Sequence, residues 1–179
     1  HAAFNLIFRF VENYVSPIAG RISSQRHVMA IRDGFISAMP FMIVGSFLLV
    51  FAYPPFSPDT TWGFARAWLD MAKQFEGQIL TPFDMTMGVM SLYICAAIAY
   101  NLGKHYVKTH QLDPFMCAML SLMAFLLVAA PKTKGALPVD SLGGTGIFTA
   151  ILVAIYCVEM MRFLKAHNIG IRLPDQVPP

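Results

Sequence analysis

The sequence predicts an all-α membrane protein of about four transmembrane helices, flanked by interfacial amphipathic helices. Three observations predict it. Hydrophobic residues make up 56% of the 179 residues and charged residues only 13%, where a soluble domain is about 45–50% apolar and about 25% charged. Four stretches, over 34–53, 85–102, 115–130 and 143–161, carry a single formal charge between them, on Glu159. The remaining Lys, Arg, Asp and Glu collect in the intervening segments, so the apolar surface belongs in a bilayer. Mean hydropathy is +0.57. The net charge of +3 comes from scattered flanking residues and forms no dense basic stripe, which excludes a nucleic-acid surface.

Taken in order, residues 1–28 form an N-terminal amphipathic segment. Phe4, Ile7, Val11, Val15 and Ile18 recur three or four apart, with Arg9, Glu12 and Asn13 off the stripe. That spacing draws an apolar face on a helix over 4–19, suited either to a membrane surface or to the protein's own inner side. Arg9 and Glu12 interrupt it, so it is no signal peptide. The start at His1-Ala2-Ala3, without Met, and the end at Pro178-Pro179 lead us to expect a piece of something larger.

A bundle over 29–166 follows. Gly34–Tyr53 is charge-free, and twenty helical residues reach about 30 Å, the thickness of the hydrocarbon core. Pro40 inside it removes a bond to the Ile36 carbonyl and predicts a kink. Residues 60–80 form an apolar stripe through Trp62, Ala65, Trp68, Ala72, Phe75 and Ile79, broken by Arg66, Asp70, Lys73 and Glu76. Those charges make spanning costly, and the tryptophans favour the headgroup layer, so this helix is placed in the interface. The second span is read over 85–102, the third over 114–131 between Pro114 and Pro131, the fourth over 143–161. The third is short and must borrow flanking residues or thin the bilayer.

Orientation rests on basic residues. With the N-terminus inside, inner segments hold Arg9, Arg21, Arg26, Arg32, Lys104, Lys108, Arg162, Lys165 and Arg172, and outer ones Arg66, Lys73, Lys132 and Lys134. The excess predicts both termini in the cytoplasm, with the 60–80 helix on the outer, periplasmic side.

Candidate site residues are few. Ser91, Cys95, Ala99 and Gly103 recur every fourth position, as do Gly146, Ala150 and Ala154. Such stripes let helix backbones approach closely in lipid. They are read as helix-packing positions, either within the chain or at a dimer interface. Glu159 stands three residues before Arg162, so the two can pair on one helical face; a structural pair and an intramembrane functional group both stand as readings. Cys95, Cys117 and Cys157 lie in apolar runs without ligand spacing and read as packed thiols. The histidines supply no metal set, and Gly143-Gly144-Thr145-Gly146 lacks the Lys-Ser/Thr of a phosphate loop. No catalytic, substrate-binding, cofactor or metal residue is assigned, and no cofactor is expected.

Three strings then carry a resemblance. Arg26-His27-Val28-Met29-Ala30-Ile31-Arg32-Asp33-Gly34-Phe35 followed by Met39-Pro40 and Gly45-Ser46-Phe47 resembles the opening pattern of the bacterial phosphotransferase-system sugar permease, enzyme IIC, of the lactose/cellobiose/diacetylchitobiose branch. Thr86-Met87-Gly88-Val89-Met90-Ser91-Leu92 and Ile171-Arg172-Leu173-Pro174-Asp175-Gln176-Val177-Pro178-Pro179 are similar to its later stretches. The resemblance implies the N-terminal scaffold and dimerisation half of a larger permease, with 167–179 as a cytoplasmic connector to a C-terminal transport domain. It also implies a multi-pass homodimer in the bacterial inner membrane. A β-linked disaccharide, such as cellobiose or diacetylchitobiose, would be carried inward and phosphorylated from a cytoplasmic phosphorylated IIB subunit. The family's sugar-binding histidine and glutamate belong to the C-terminal half, and no position here matches them. The competing reading is a self-contained four-helix membrane interaction protein with no transport role.

Overall fold

The computed structural model describes residues 16–130 and 139–169. Among them the chain is helical throughout, without a strand: α1 (Ser16–Ser23), α2 (Arg26–Ala52), α3 (Gly63–Thr86), α4 (Met90–His110), α5 (Pro114–Ala129) and α6 (Ile147–Ala166), the last entered through a 3₁₀ turn at Gly144–Gly146. The amphipathic helix expected over 4–19 lies outside the described residues up to Val15, as do Lys132, Lys134 and the connector beyond Ile169.

Helix α4 is the centre of the bundle. Ile94, Cys95, Ile98, Ala99 and Leu102 have no exposed surface, because α2, α5 and α6 all pack on it. Helix α2 lies antiparallel to it: Phe41 stacks on Tyr93 with ring centroids 4.5 Å apart, and Arg26 stands over Tyr106. The closest approach is at Gly34, where an added Cβ would meet the Ile98 backbone nitrogen at 2.9 Å. Helix α6 is parallel to α4, with Glu159 on Tyr106 and Lys165 Nζ donating to the Gln111 carbonyl at 2.9 Å. Helix α5 returns antiparallel; Cys95 Sγ donates to the Ser121 carbonyl and Gly103 faces Pro114 and Cys117. The start of α2 and the end of α6 therefore share one end of the bundle.

Helix α3 packs against α2. Its Trp68 Nε1 donates to the Phe51 carbonyl at 3.2 Å, whereas Thr86 and Met87 stand against Gly45. Six residues of α2, about 9 Å, thus correspond to eighteen of α3, about 27 Å. Trp68 is ringed by Phe51, Phe56 and Phe64, and Tyr53 donates to Glu76 at 3.1 Å.

Several boundaries differ from expectation. Charge-free runs mark what sits in hydrocarbon, but helical hydrogen bonding continues into the polar layer. The first span begins at Arg26 and not at Gly34, and helix continues on both sides of Pro40. The interfacial stripe extends through Pro82 to Thr86. The second span starts at Met90 and not at residue 85, because Met87-Gly88-Val89 form a turn with Gly88 against the Asp84 backbone; it runs on to His110. The fourth is α-helical only from Ile147 and continues to Ala166. Helix α5 is bounded as expected at its start, where Asp113 caps the Phe115 N–H at 2.9 Å and Pro114 takes the first helical position.

Arg26–Ala52 and Gly144–Ala166 are each long and apolar enough to cross a membrane, as is part of Gly63–His110, which the turn at 87–89 divides; Pro114–Ala129 is a shorter apolar helix.

Candidate functional site: a carboxylate hub at one end of the bundle

A cluster of polar side chains lies where α2 begins and α4 and α6 end. Glu159, on the penultimate turn of α6, has both oxygens occupied. Oε1 accepts from Tyr106 Oη at 2.6 Å and from His27 Nε2 at 3.0 Å, and Oε2 accepts from Arg162 Nε at 2.7 Å. Three helices are thereby fastened to one carboxylate. Helical spacing explains Arg162; the antiparallel and parallel registers of α2 and α6 on α4 explain His27 and Tyr106.

The Tyr106 ring, 2% exposed, is flanked by two guanidinium groups. Arg26 Cζ lies 5.6 Å and Arg162 Cζ 5.3 Å from its centroid, within cation–π range. Around these side chains, together with Ser24 and Gln25, is an open cavity of about 400 Å³. A carboxylate with both oxygens engaged by three helices ties the helix ends together. Among the described residues, no group of three or more His, Cys, Asp or Glu is placed to hold a metal ion.

Of the two readings of Glu159, the geometry adds partners to the ion pair with Arg162. Sequence spacing found that pair but missed His27, Tyr106 and Arg26. One signal was available: with helix directions alternating, His27, Tyr106 and Glu159 all fall within about two turns of the span ends on one side.

The small-residue stripes are buried within the chain. Ser91, Cys95, Ala99 and Gly103 are buried on α4, and Gly146, Ala150 and Ala154 are buried at the start of α6 and in its first half. A Cβ on Gly146 would come 2.9 Å from Ser91 Oγ, and Ser91 Oγ donates to the Leu142 carbonyl. Both Ala99 and Ala154 have no exposed surface. Ala99→Leu and Ala154→Leu are each expected to cost about 1–3 kcal/mol by overpacking, read as a lower melting temperature in detergent. Unchanged melting with loss of self-association would instead put the stripes at a subunit contact.

Comparison with known proteins places this geometry. The family model described as phosphotransferase system, EIIC matches residues 32–179. The cellobiose-specific EIIC component of Geobacillus stearothermophilus is 35% identical over 96% of this chain and 39% of its own length. The lichenan permease IIC component of Bacillus subtilis (strain 168) is 34% identical over 98% of the chain and 40% of its own length. Among solved structures, the transporter ChbC, the IIC component from the N,N'-diacetylchitobiose-specific phosphotransferase system, superposes with a TM-score of 0.76 at 35% identity, covering 96% of this chain and 41% of that one. The chain thus spans about two fifths of the length of these relatives.

Proposed function

This chain belongs to the phosphotransferase system EIIC family, and from that premise we propose that it is the scaffold portion of a permease that carries a β-linked disaccharide across the bacterial inner membrane as the sugar is phosphorylated. The observation that carries the proposal is the alignment of nearly the whole chain with a cellobiose-specific EIIC component, together with its superposition on ChbC. The described polar groups support a frame and not a sugar site. The Glu159 hub sits at one end of the bundle, whereas transporters bind solute near mid-membrane between discontinuous helices.

In the proposed arrangement α2, α4, α5 and α6 cross the bilayer with both ends of the chain in the cytoplasm. Helix α3 lies in the outer interface, held by Trp62 and Trp68 at the headgroup layer. The four charges Arg66, Asp70, Lys73 and Glu76 support this placement. The protein works as a homodimer, takes its phosphoryl group from a phosphorylated IIB subunit, and binds sugar outside the present chain. The lactose-specific EIICB relatives support the IIB pairing.

The test is phosphoenolpyruvate-dependent uptake in cells expressing the full reading frame with the general phosphotransferase proteins. Labelled cellobiose is expected to accumulate as its phosphate, and deletion of the frame to abolish the accumulation. Uptake of unmodified sugar, or none of cellobiose, diacetylchitobiose or lactose, contradicts the proposal.

A further inference from the structure

We propose that the cavity bounded by Arg26, His27, Tyr106 and Arg162 binds a phosphoryl group, as the phosphodiester of an anionic lipid headgroup or as free phosphate. The proposal stands on the cavity alone and does not depend on sugar transport.

Charge comes first. The cavity lining holds two guanidinium groups and one carboxylate. That carboxylate is satisfied: His27, Tyr106 and Arg162 occupy both Glu159 oxygens. Arg26 makes no ion pair with any described carboxylate, so among the described residues the cavity wall carries an excess of positive charge. Arg162 commits only its Nε to Glu159, which leaves its terminal NH₂ groups without a partner among the described residues.

Geometry comes next. Arg26 and Arg162 stand over the same Tyr106 ring, 5.6 and 5.3 Å from its centroid. Packing of this kind holds guanidinium planes and restricts where their N–H edges point. Between them opens the start of α2. The first intrahelical bond there runs from Met29 N to the Gln25 carbonyl at 2.9 Å, and Gln25 places no side-chain cap on the helix. The N–H groups of Arg26, His27 and Val28 therefore have no intrahelical acceptor, and the dipole of the 27-residue helix α2 adds positive potential.

Donors thus approach one space from α2 and α6 as side chains and from the α2 backbone. A planar carboxylate engages one guanidinium edge, whereas a tetrahedral phosphoryl group offers oxygens to all of these directions. A volume of about 400 Å³ accommodates it with the first atoms of its ester. The cavity stands at the end of three apolar helices, which the proposed arrangement sets at the level of the lipid phosphates.

The experiment uses the full-length permease in neutral detergent, melted with dioleoylphosphatidylglycerol or with dioleoylglycerol, which has the same tails and no phosphate. Inorganic phosphate is compared with chloride at matched ionic strength. Phosphatidylglycerol is expected to raise the melting temperature above that with dioleoylglycerol, and Arg26→Gln to weaken the apparent affinity about tenfold or more. Stabilisation by phosphate as well identifies the phosphoryl group alone as sufficient; stabilisation by the lipid alone identifies the headgroup as the source, and by phosphate alone the free ion. Gln25→Glu, which sets a carboxylate at the cavity wall without touching the hub, is expected to weaken binding similarly and replaces Arg26→Gln if that variant does not fold. Equal melting in both lipids and in both salts overturns the proposal. So does an effect that Arg26→Gln and Gln25→Glu leave unchanged.

Discussion

Replacing Glu159 with alanine is expected to lower stability by about 2–4 kcal/mol, a loss composed of three charge-assisted hydrogen bonds and discounted for partial solvent exposure. The discount is needed because the side chains of His27, Glu159 and Arg162 are 34%, 25% and 40% exposed. The loss falls on three helices at once, since α2, α4 and α6 are all joined to this carboxylate. Glu159→Gln preserves volume and an acceptor for Tyr106 but removes the charge facing Arg162, so an intermediate loss is expected. Melting of both variants in one detergent checks the order. A loss below about 0.5 kcal/mol for Glu159→Ala, the level of an ordinary exposed pair, would show that the hub does not hold the helices together.

Gly34→Leu is expected to be the more damaging change, at about 3 kcal/mol or above. A Cβ at residue 34 meets the backbone of Ile98, with the nitrogen at 2.9 Å and Cα at 3.0 Å. Backbone cannot turn aside as a flexible side chain can, so α2 and α4 must separate along their contact. A glycine elsewhere provides the control. Gly77 in α3 has nothing within 4 Å of an added Cβ, and Gly77→Ala is expected to stabilise by about 0.5–1 kcal/mol through helix propensity. Similar melting of Gly34→Leu and Gly77→Ala would show that the α2–α4 contact is looser than described.

Which parts were legible in the sequence follows from what each signal measures. Charge-free runs located α2, α4, α5 and α6 because hydrocarbon tolerates few charges. They misplaced helix ends at Arg26, Met90 and Ala166, where helix and hydrocarbon stop at different residues. Four charges on the Trp62–Ile79 stripe set α3 apart from the charge-free runs. Period-four spacing picked out Ser91, Cys95, Ala99, Gly103, Gly146, Ala150 and Ala154, all of which are buried. Spacing within one helix cannot say which neighbour it faces.

The hub divides along the same line. Arg162 is three residues from Glu159 and was legible. His27 and Tyr106 are 132 and 53 residues away. Nothing local ties them to Glu159; only the alternation of helix directions brings them to one level.

The central claim is that α2, α4, α5 and α6 cross the bilayer while α3 does not. Single cysteines at Ser57, Gln111 and Asp140, in a background lacking Cys95, Cys117 and Cys157, test it with a membrane-impermeant thiol reagent on intact cells. Ser57→Cys and Asp140→Cys are expected to react from outside, and Gln111→Cys only after permeabilisation. Labelling of residues 57 and 140 from opposite sides would mean that α3 spans the membrane, and would contradict the account.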